Sequence, residues 1–222
     1  MDVVTADPLA FVPSAAVLAT FVAAAIALTL TPGPDMTFFL GKAVGQSTAA
    51  GFAAFAGCST GLVMHTLLVA LGLSALLAAS ATAYLVLQVV GAAYLLYLAV
   101  QTLRHGSSLG SAAAGGTADP LMRVFGKGLA INLLNPKIIV FFATFLPQFV
   151  SPDDPAATGK LIFLGLTFVV VATPFTVAMI LAAGRVSAAL RGSRRLSRAI
   201  DWLFAGVMGA FAVRLLLSSR PS

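Results

Sequence analysis

The sequence predicts an all-α membrane protein of six transmembrane helices, laid out as a 3+3 inverted repeat with broken first and fourth helices. Three observations carry that prediction. The 222 residues are 59% hydrophobic and only 9% charged, with a mean hydropathy of +1.02, where a soluble domain carries about 25% charged residues. Six apolar segments follow one another, each near the ~20 residues a membrane crossing needs. Two of them, the first and the fourth, are interrupted by proline beside an ionisable residue: Thr31-Pro32-Gly33-Pro34-Asp35 and Asn135-Pro136-Lys137.

The segments run over Ser14–Leu40, Ala49–Leu73, Ala83–Leu103, Val124–Val150, Leu161–Ala183 and Ile200–Leu217. The first and fourth exceed one straight span, which fits two half-helices joined by a short unwound piece. Proline removes a backbone donor and clashes with the preceding turn, and irregular backbone is not tolerated against lipid. Each break is therefore expected to be covered by protein or to line a cavity. Between the third and fourth segments, Gly106–Pro120 is rich in Gly, Ser and Ala and reads as a flexible cytoplasmic linker. The expected organisation is one transmembrane domain over 1–222, with a first half 1–103, a linker 104–122 and a second half 123–222. Three helices per half make the second half enter the membrane from the opposite side, the premise of an inverted repeat.

Charge sets the orientation. With the N-terminus outside, the inner loops hold nine Lys and Arg (Lys42, Arg104, Arg123, Lys127, Arg185, Arg191, Arg194, Arg195, Arg198) and the outer side three (Lys160, Arg214, Arg220). That asymmetry places both termini outside. The front end, with Asp2 and Asp7 and no Lys or Arg before Lys42, argues against a cleaved signal peptide. The net charge of +6 reads as orientation and lipid-headgroup contact rather than nucleic-acid binding, with Arg191–Arg198 as the headgroup face.

Thr31-Pro32 and Asn135-Pro136 both read as N-cap followed by proline at the first helical position. Aligning the halves there leaves Pro34 unmatched; aligning Pro34 with Pro136 matches Asp35 to Lys137. The residues leave both registers open. A half-helix start offers free N–H groups and the positive end of its dipole, a setting for a carboxylate. Thr31, Pro32, Gly33, Pro34, Asp35, Asn135, Pro136 and Lys137 are the candidate substrate-binding residues. Asp35 is the sole acid well inside an apolar segment, where an Asp costs about 2.5–3.5 kcal/mol on insertion scales. It can bind an ammonium group, carry a proton, or pair with Lys137. His65 is a second proton-coupling candidate, with a neutral packing role as its alternative. Gly57 and Gly61 form a GxxxG suited to close helix approach. Tyr84, Tyr94, Tyr97 and Trp202 read as interface anchors or packing, and Asp201 as solvated near a span end.

No HExxH and no Cys/His cluster is present, so no enzyme and no cofactor are expected. The single cysteine, Cys58, excludes a dithiol electron carrier. A metal-ion transporter needs several clustered intramembrane acids, and Asp35 stands alone. A channel or structural membrane protein is the remaining alternative.

The chain resembles the LysE/RhtB family of amino-acid exporters over nearly its whole length. The resemblance rests on Leu30-Thr31-Pro32-Gly33-Pro34-Asp35, on Asn132-Leu133-Leu134-Asn135-Pro136-Lys137, and on the run from Phe141 to Leu146-Pro147-Gln148-Phe149. Gly57, Gly61, His65 and Gly72-Leu73, with Gly91-Ala92-Ala93-Tyr94-Leu95, extend it. It implies a six-helix translocator in the bacterial cytoplasmic (inner) membrane that exports amino acids or close derivatives, driven by the proton gradient. Its partners would be a small amino acid, protons, the lipid bilayer and a second copy of the chain.

Overall fold

A computed structural model describes residues 11–79, 81–105, 118–151, 154–185 and 193–218. Most of the expected linker lies outside them, as do Asp153, Arg191 and Arg220 and the side chains of Tyr84, Tyr94 and Arg214. The described residues are helical throughout, without a strand: α1 Ala15–Leu30, α2 Pro34–Gly45, α3 Thr48–Ala79, α4 Ala81–His105, α5 Leu121–Leu133, α6 Pro136–Val140, α7 Ala157–Leu181 and α8 Arg194–Ser218.

Two helices are long and apolar enough to cross a membrane singly, over Thr48–Gly72 and Ala157–Leu181. Two bent pairs qualify when each is taken as one span: α1 with α2, bent by 53°, and α5 with Pro136–Phe149, bent by 50°. These are the two broken segments of the sequence reading. Length and composition thus support two to four spans among the described residues.

The second half-helix of the first break starts two residues later than the Thr31-Pro32 reading. Thr31 closes α1: its N–H donates to the Leu28 carbonyl at 3.2 Å and its hydroxyl to the Ala27 carbonyl at 2.7 Å. The next helix starts at Pro34 with Gly33 as its N-cap. The second break is capped as expected, with Asn135 Oδ1 accepting from the Lys137 N–H at 3.0 Å. Both half-helices therefore begin on a proline, Pro34 and Pro136, and the residue after each is the charged one.

Beyond Pro136 the helix changes pitch. Phe141–Phe145 forms a π turn, with Leu146 N–H donating to the Phe141 carbonyl, and Leu146–Phe149 tightens to 3-10 geometry. Pro147 accounts for the change, since it has no N–H to give Ala143 in an α ladder. The widened turn sends Phe141, Phe142 and Phe145 inward, each with no exposed surface. Phe145 packs against Phe141 at 4.7 Å and Phe149 at 4.8 Å, and Phe21 of α1 meets Phe149 edge-on at 5.3 Å. Such pairs add about 0.5–1.5 kcal/mol each beyond area burial.

Helix packing in lipid relies on close contact rather than hydrophobic expulsion, so small residues mark the seams. On α3, a Cβ added to Gly57 would lie 2.1 Å from the Phe125 carbonyl oxygen, and one added to Gly128 of α5 would lie 2.3 Å from that of Ala54. The GxxxG of the sequence lies in the seam between α3 and α5, Gly57 against backbone and Gly61 against the Asn132 side chain. On α7, Gly165 makes room for the side chain of Thr66 of α3, which would lie 2.4 Å from an added Cβ. Helices α4 and α8 lie against each other. Asp201 departs from its expected solvated position. It is 6% exposed, on the helix face of buried Ala205 and Ala212, and its Oδ1 has no hydrogen-bond partner among the described residues.

Polar ties fasten the loops. Asp119 receives Lys42 at the end of α2 at 2.8 Å and Lys127 of α5 at 2.9 Å. Gln46 Nε2 donates to the Asp119 carbonyl at 2.7 Å. The Lys42 and Lys127 ammonium groups hold the Asp119 carboxyl well below the usual carboxylate range. In the first turn of α7, Lys160 pairs with Asp154 and, with the Ala156 N–H, lowers the pKa of that carboxyl too.

Candidate functional site

The two breaks face each other. Across them, Asp35 near the start of α2 accepts from Asn132 Nδ2 at 2.7 Å on one oxygen and from Asn135 Nδ2 at 3.0 Å on the other. In return, Lys137 near the start of α6 reaches back to the end of α1. Its ammonium donates to the Leu28 carbonyl at 3.0 Å and the Thr31 carbonyl at 2.9 Å. Both carbonyls lie at the C-terminal end of α1, where the dipole is negative; that of Leu28 also accepts the Thr31 N–H. Each charge is thus met by dipoles from the opposite break, a charge-assisted arrangement stronger than a bond between neutral groups.

The local causes are legible residue by residue. Gly33 is extended, at φ −161° and ψ 178°, so its conformation does not demand glycine. Nor does space: an added Cβ would stand 3.5 Å from Cδ and 3.4 Å from Nζ of Lys137, ordinary van der Waals contact. Pro34 and Pro136 start their helices without wasting a donor. Thr31 and Asn135 are buried at 3% exposure, while Asp35 and Lys137 are half-buried.

Asn132 is the residue that the candidate set lacked. It sits one turn before the break, fully buried, and links two sequence-predicted groups. Its side chain donates to Asp35, and its carbonyl lies 3.3 Å from His65 Nε2. A Cβ on Gly61 would fall 2.4 Å from Asn132 Oδ1, so glycine there makes the space Asn132 occupies. That Oδ1 has no hydrogen-bond partner among the described residues. His65 is buried at 7% exposure, with its ring 5.8 Å from that of Phe142. Its hydrogen-bonded link to Asp35 runs through Asn132. The pointer in the sequence was the spacing Asn132-x-x-Asn135, which puts two amides one turn apart.

The centre opens on a cleft of about 530 Å³, counting its open mouth. Thr31, Gly33, Asp35, Asn135 and Lys137 line it together with Phe39, Phe55, Cys58, Leu62, Ile138, Phe168, Ala172 and Thr176. Each helix contributes one face: Asp35 and Phe39 from α2, Phe55, Cys58 and Leu62 from α3, Phe168, Ala172 and Thr176 from α7. Pro32, Pro34 and Pro136 shape the breaks without lining the cleft. Among the described residues no group of three His, Cys, Asp or Glu side chains is placed to hold a metal ion.

Comparison with known proteins completes the description. The sequence profile for the LysE type translocator matches residues 26–219. The chain belongs to that family. As a LysE type translocator it is a transporter rather than an enzyme. It is 32% identical over 193 residues to the homoserine/homoserine lactone efflux protein of Salmonella typhimurium, covering 87% of this chain and 92% of that one. It is 28% identical over 196 residues to the leucine efflux protein of Salmonella choleraesuis, covering 88% and 92%. An uncharacterized membrane protein of Vibrio cholerae is 34% identical over 149 residues, covering 66% and 71%. No solved structure matches the chain.

Proposed function

We propose that this LysE type translocator exports amino acids or close derivatives across the cytoplasmic membrane, coupled to proton entry, from a midplane site between its two broken helices. The observation that carries the reading is the reciprocal clasp of the breaks, Asp35 on Asn132 and Asn135, and Lys137 on Leu28 and Thr31, on the wall of one cleft. Broken helices that meet at a cavity are the membrane form of a helix-terminus site. The names of the Salmonella relatives supply the substrate class.

A zwitterionic amino acid brings one carboxylate and one ammonium. Lys137 and the N–H groups that open α2 attract the carboxylate. The first turn of α6 contributes less than the sequence suggests, because Asn135 Oδ1 already takes the Lys137 N–H. Asp35 receives the ammonium in one half-cycle and a proton in the other, and that exchange couples the two fluxes. His65, one residue removed through Asn132, joins the proton path. The six-span, 3+3 inverted architecture belongs to this reading, and the start of both half-helices at proline supports it. So do the exposed apolar flanks, such as Leu68 at 63% and Val170 at 70% exposure, which suit lipid.

The test is flux in reconstituted vesicles. Saturable amino-acid movement that accelerates under an imposed proton gradient is expected; movement indifferent to that gradient sinks the coupling. For topology, a cysteine at Ser151 is expected to react with an impermeant reagent added outside, and one at Ser47 to stay protected. The opposite pattern overturns the placement of both termini outside.

A further inference from the structure

The walls of the cleft say which side chains the substrate carries. Among the described residues that line it, Asp35 and Lys137 are the only charged ones. The two charges of an amino-acid backbone match these two. The remaining surface is mainly apolar, with Phe39, Phe55, Leu62, Ile138, Phe168 and Ala172; its polar groups are the Cys58 thiol, the Thr176 hydroxyl, the Asn135 amide, and the Thr29 and Thr31 hydroxyls, which already donate to the Ala25 and Ala27 carbonyls. Thr176 and Ala172 are buried at 4% and 5% exposure, one turn apart on α7. A third charge, on the side chain of a bound substrate, would meet rings and methyl groups. An aliphatic or thioether side chain meets the surface that ligand pockets use for apolar groups, and a single hydroxyl can reach Thr176.

We infer that the cleft accepts amino acids with uncharged, mainly apolar side chains and rejects those with basic or acidic ones. This rests on the amino-acid export proposed above and adds the side-chain class. An unmatched charge at membrane depth sets the discrimination at about 100-fold. A hydroxyl or one methylene more or less shifts uptake into the site about tenfold.

The experiment is a panel in vesicles holding the full chain, with labelled leucine, methionine, alanine, lysine, arginine and glutamate compared at equal concentration. Leucine, methionine and alanine are expected to move and to compete with one another, with the three charged substrates about 100-fold slower. Transport of lysine, arginine or glutamate within tenfold of leucine overturns the inference while leaving amino-acid export standing. No transport of any of the six overturns both. As a second measurement, Ala172→Leu fills part of the wall. The ratio of leucine to alanine transport is expected to fall about tenfold, and an unchanged ratio in a variant that still moves alanine overturns the assignment of this wall. The wild-type panel decides the inference even where that variant does not fold.

Discussion

Asp35→Asn is expected to abolish proton-driven export and to leave the protein folded in the membrane. The substitution keeps shape and removes both the charge and the titratable proton. It also turns one accepting oxygen into a donor, which then faces the amide of Asn132 or Asn135. A buried donor without a partner costs about 1–3 kcal/mol, but here relief is close by. Asn135 is fixed, because its Oδ1 caps the Lys137 N–H. Asn132 is not so fixed, since its Oδ1 has no partner among the described residues. A flip of the Asn132 amide brings that oxygen to the new donor and restores the bond. The variant should therefore reach the membrane in normal amount and elute as wild type, while flux driven by a proton gradient falls by at least ~100-fold. An inserted variant that exports against a gradient at the wild-type rate shows that Asp35 is not the coupling group.

Gly57→Ala is expected to be the most damaging single-methyl change in the seam between α3 and α5. The added carbon would stand 2.1 Å from the Phe125 carbonyl oxygen, 2.8 Å from the Leu129 nitrogen and 3.0 Å from the Phe125 carbonyl carbon. All three belong to backbone, so no side chain can swing aside and the helices must separate. Overpacking of this kind costs about 1–3 kcal/mol. It also moves α5, which carries Asn132, away from α3, which carries His65, so transport falls with stability. Gly72→Ala on the same helix is the control. Nothing lies within 4 Å of the carbon it adds, and alanine gains about 0.8–1 kcal/mol of helix propensity over glycine. Thermal melting of the purified proteins separates the two, and equal melting of Gly57→Ala and wild type removes the seam as an explanation.

The sequence marks the breaks because proline and charge in an apolar run are costly, and that cost is local. Their partnership is also signalled, by opposite charges one residue beyond Pro34 and Pro136. The exact start of α2 is not. Thr31-Pro32 and Gly33-Pro34 both satisfy the pattern of a cap followed by proline, and the Thr31 hydroxyl decides between them by bonding back to Ala27. Asn132 escapes for a different reason: within its own helix it is an ordinary interior residue, and its role exists only where Asp35 lies across from it. Asp201 escapes likewise, since burial near a helix end depends on what packs over it. The π turn of Phe141–Phe145 follows from Pro147, but two pitches fit that run until the rings find Phe21.

The clasp across the breaks also sets an order of events during synthesis. The two amides that hold Asp35 lie 97 and 100 residues further along the chain. At about 5–20 residues per second, Asp35 emerges roughly 5–20 s before Asn132 does. Throughout that interval the nascent chain presents an unattended carboxylate to the insertion machinery and the surrounding lipid. Arrival of α5 and α6 releases that burden, so the second half of the polypeptide acts as the chaperone of the first. A ribosome stalled before Asn132 should leave a product that quality-control proteases favour, and co-expressing residues 118–222 should protect it.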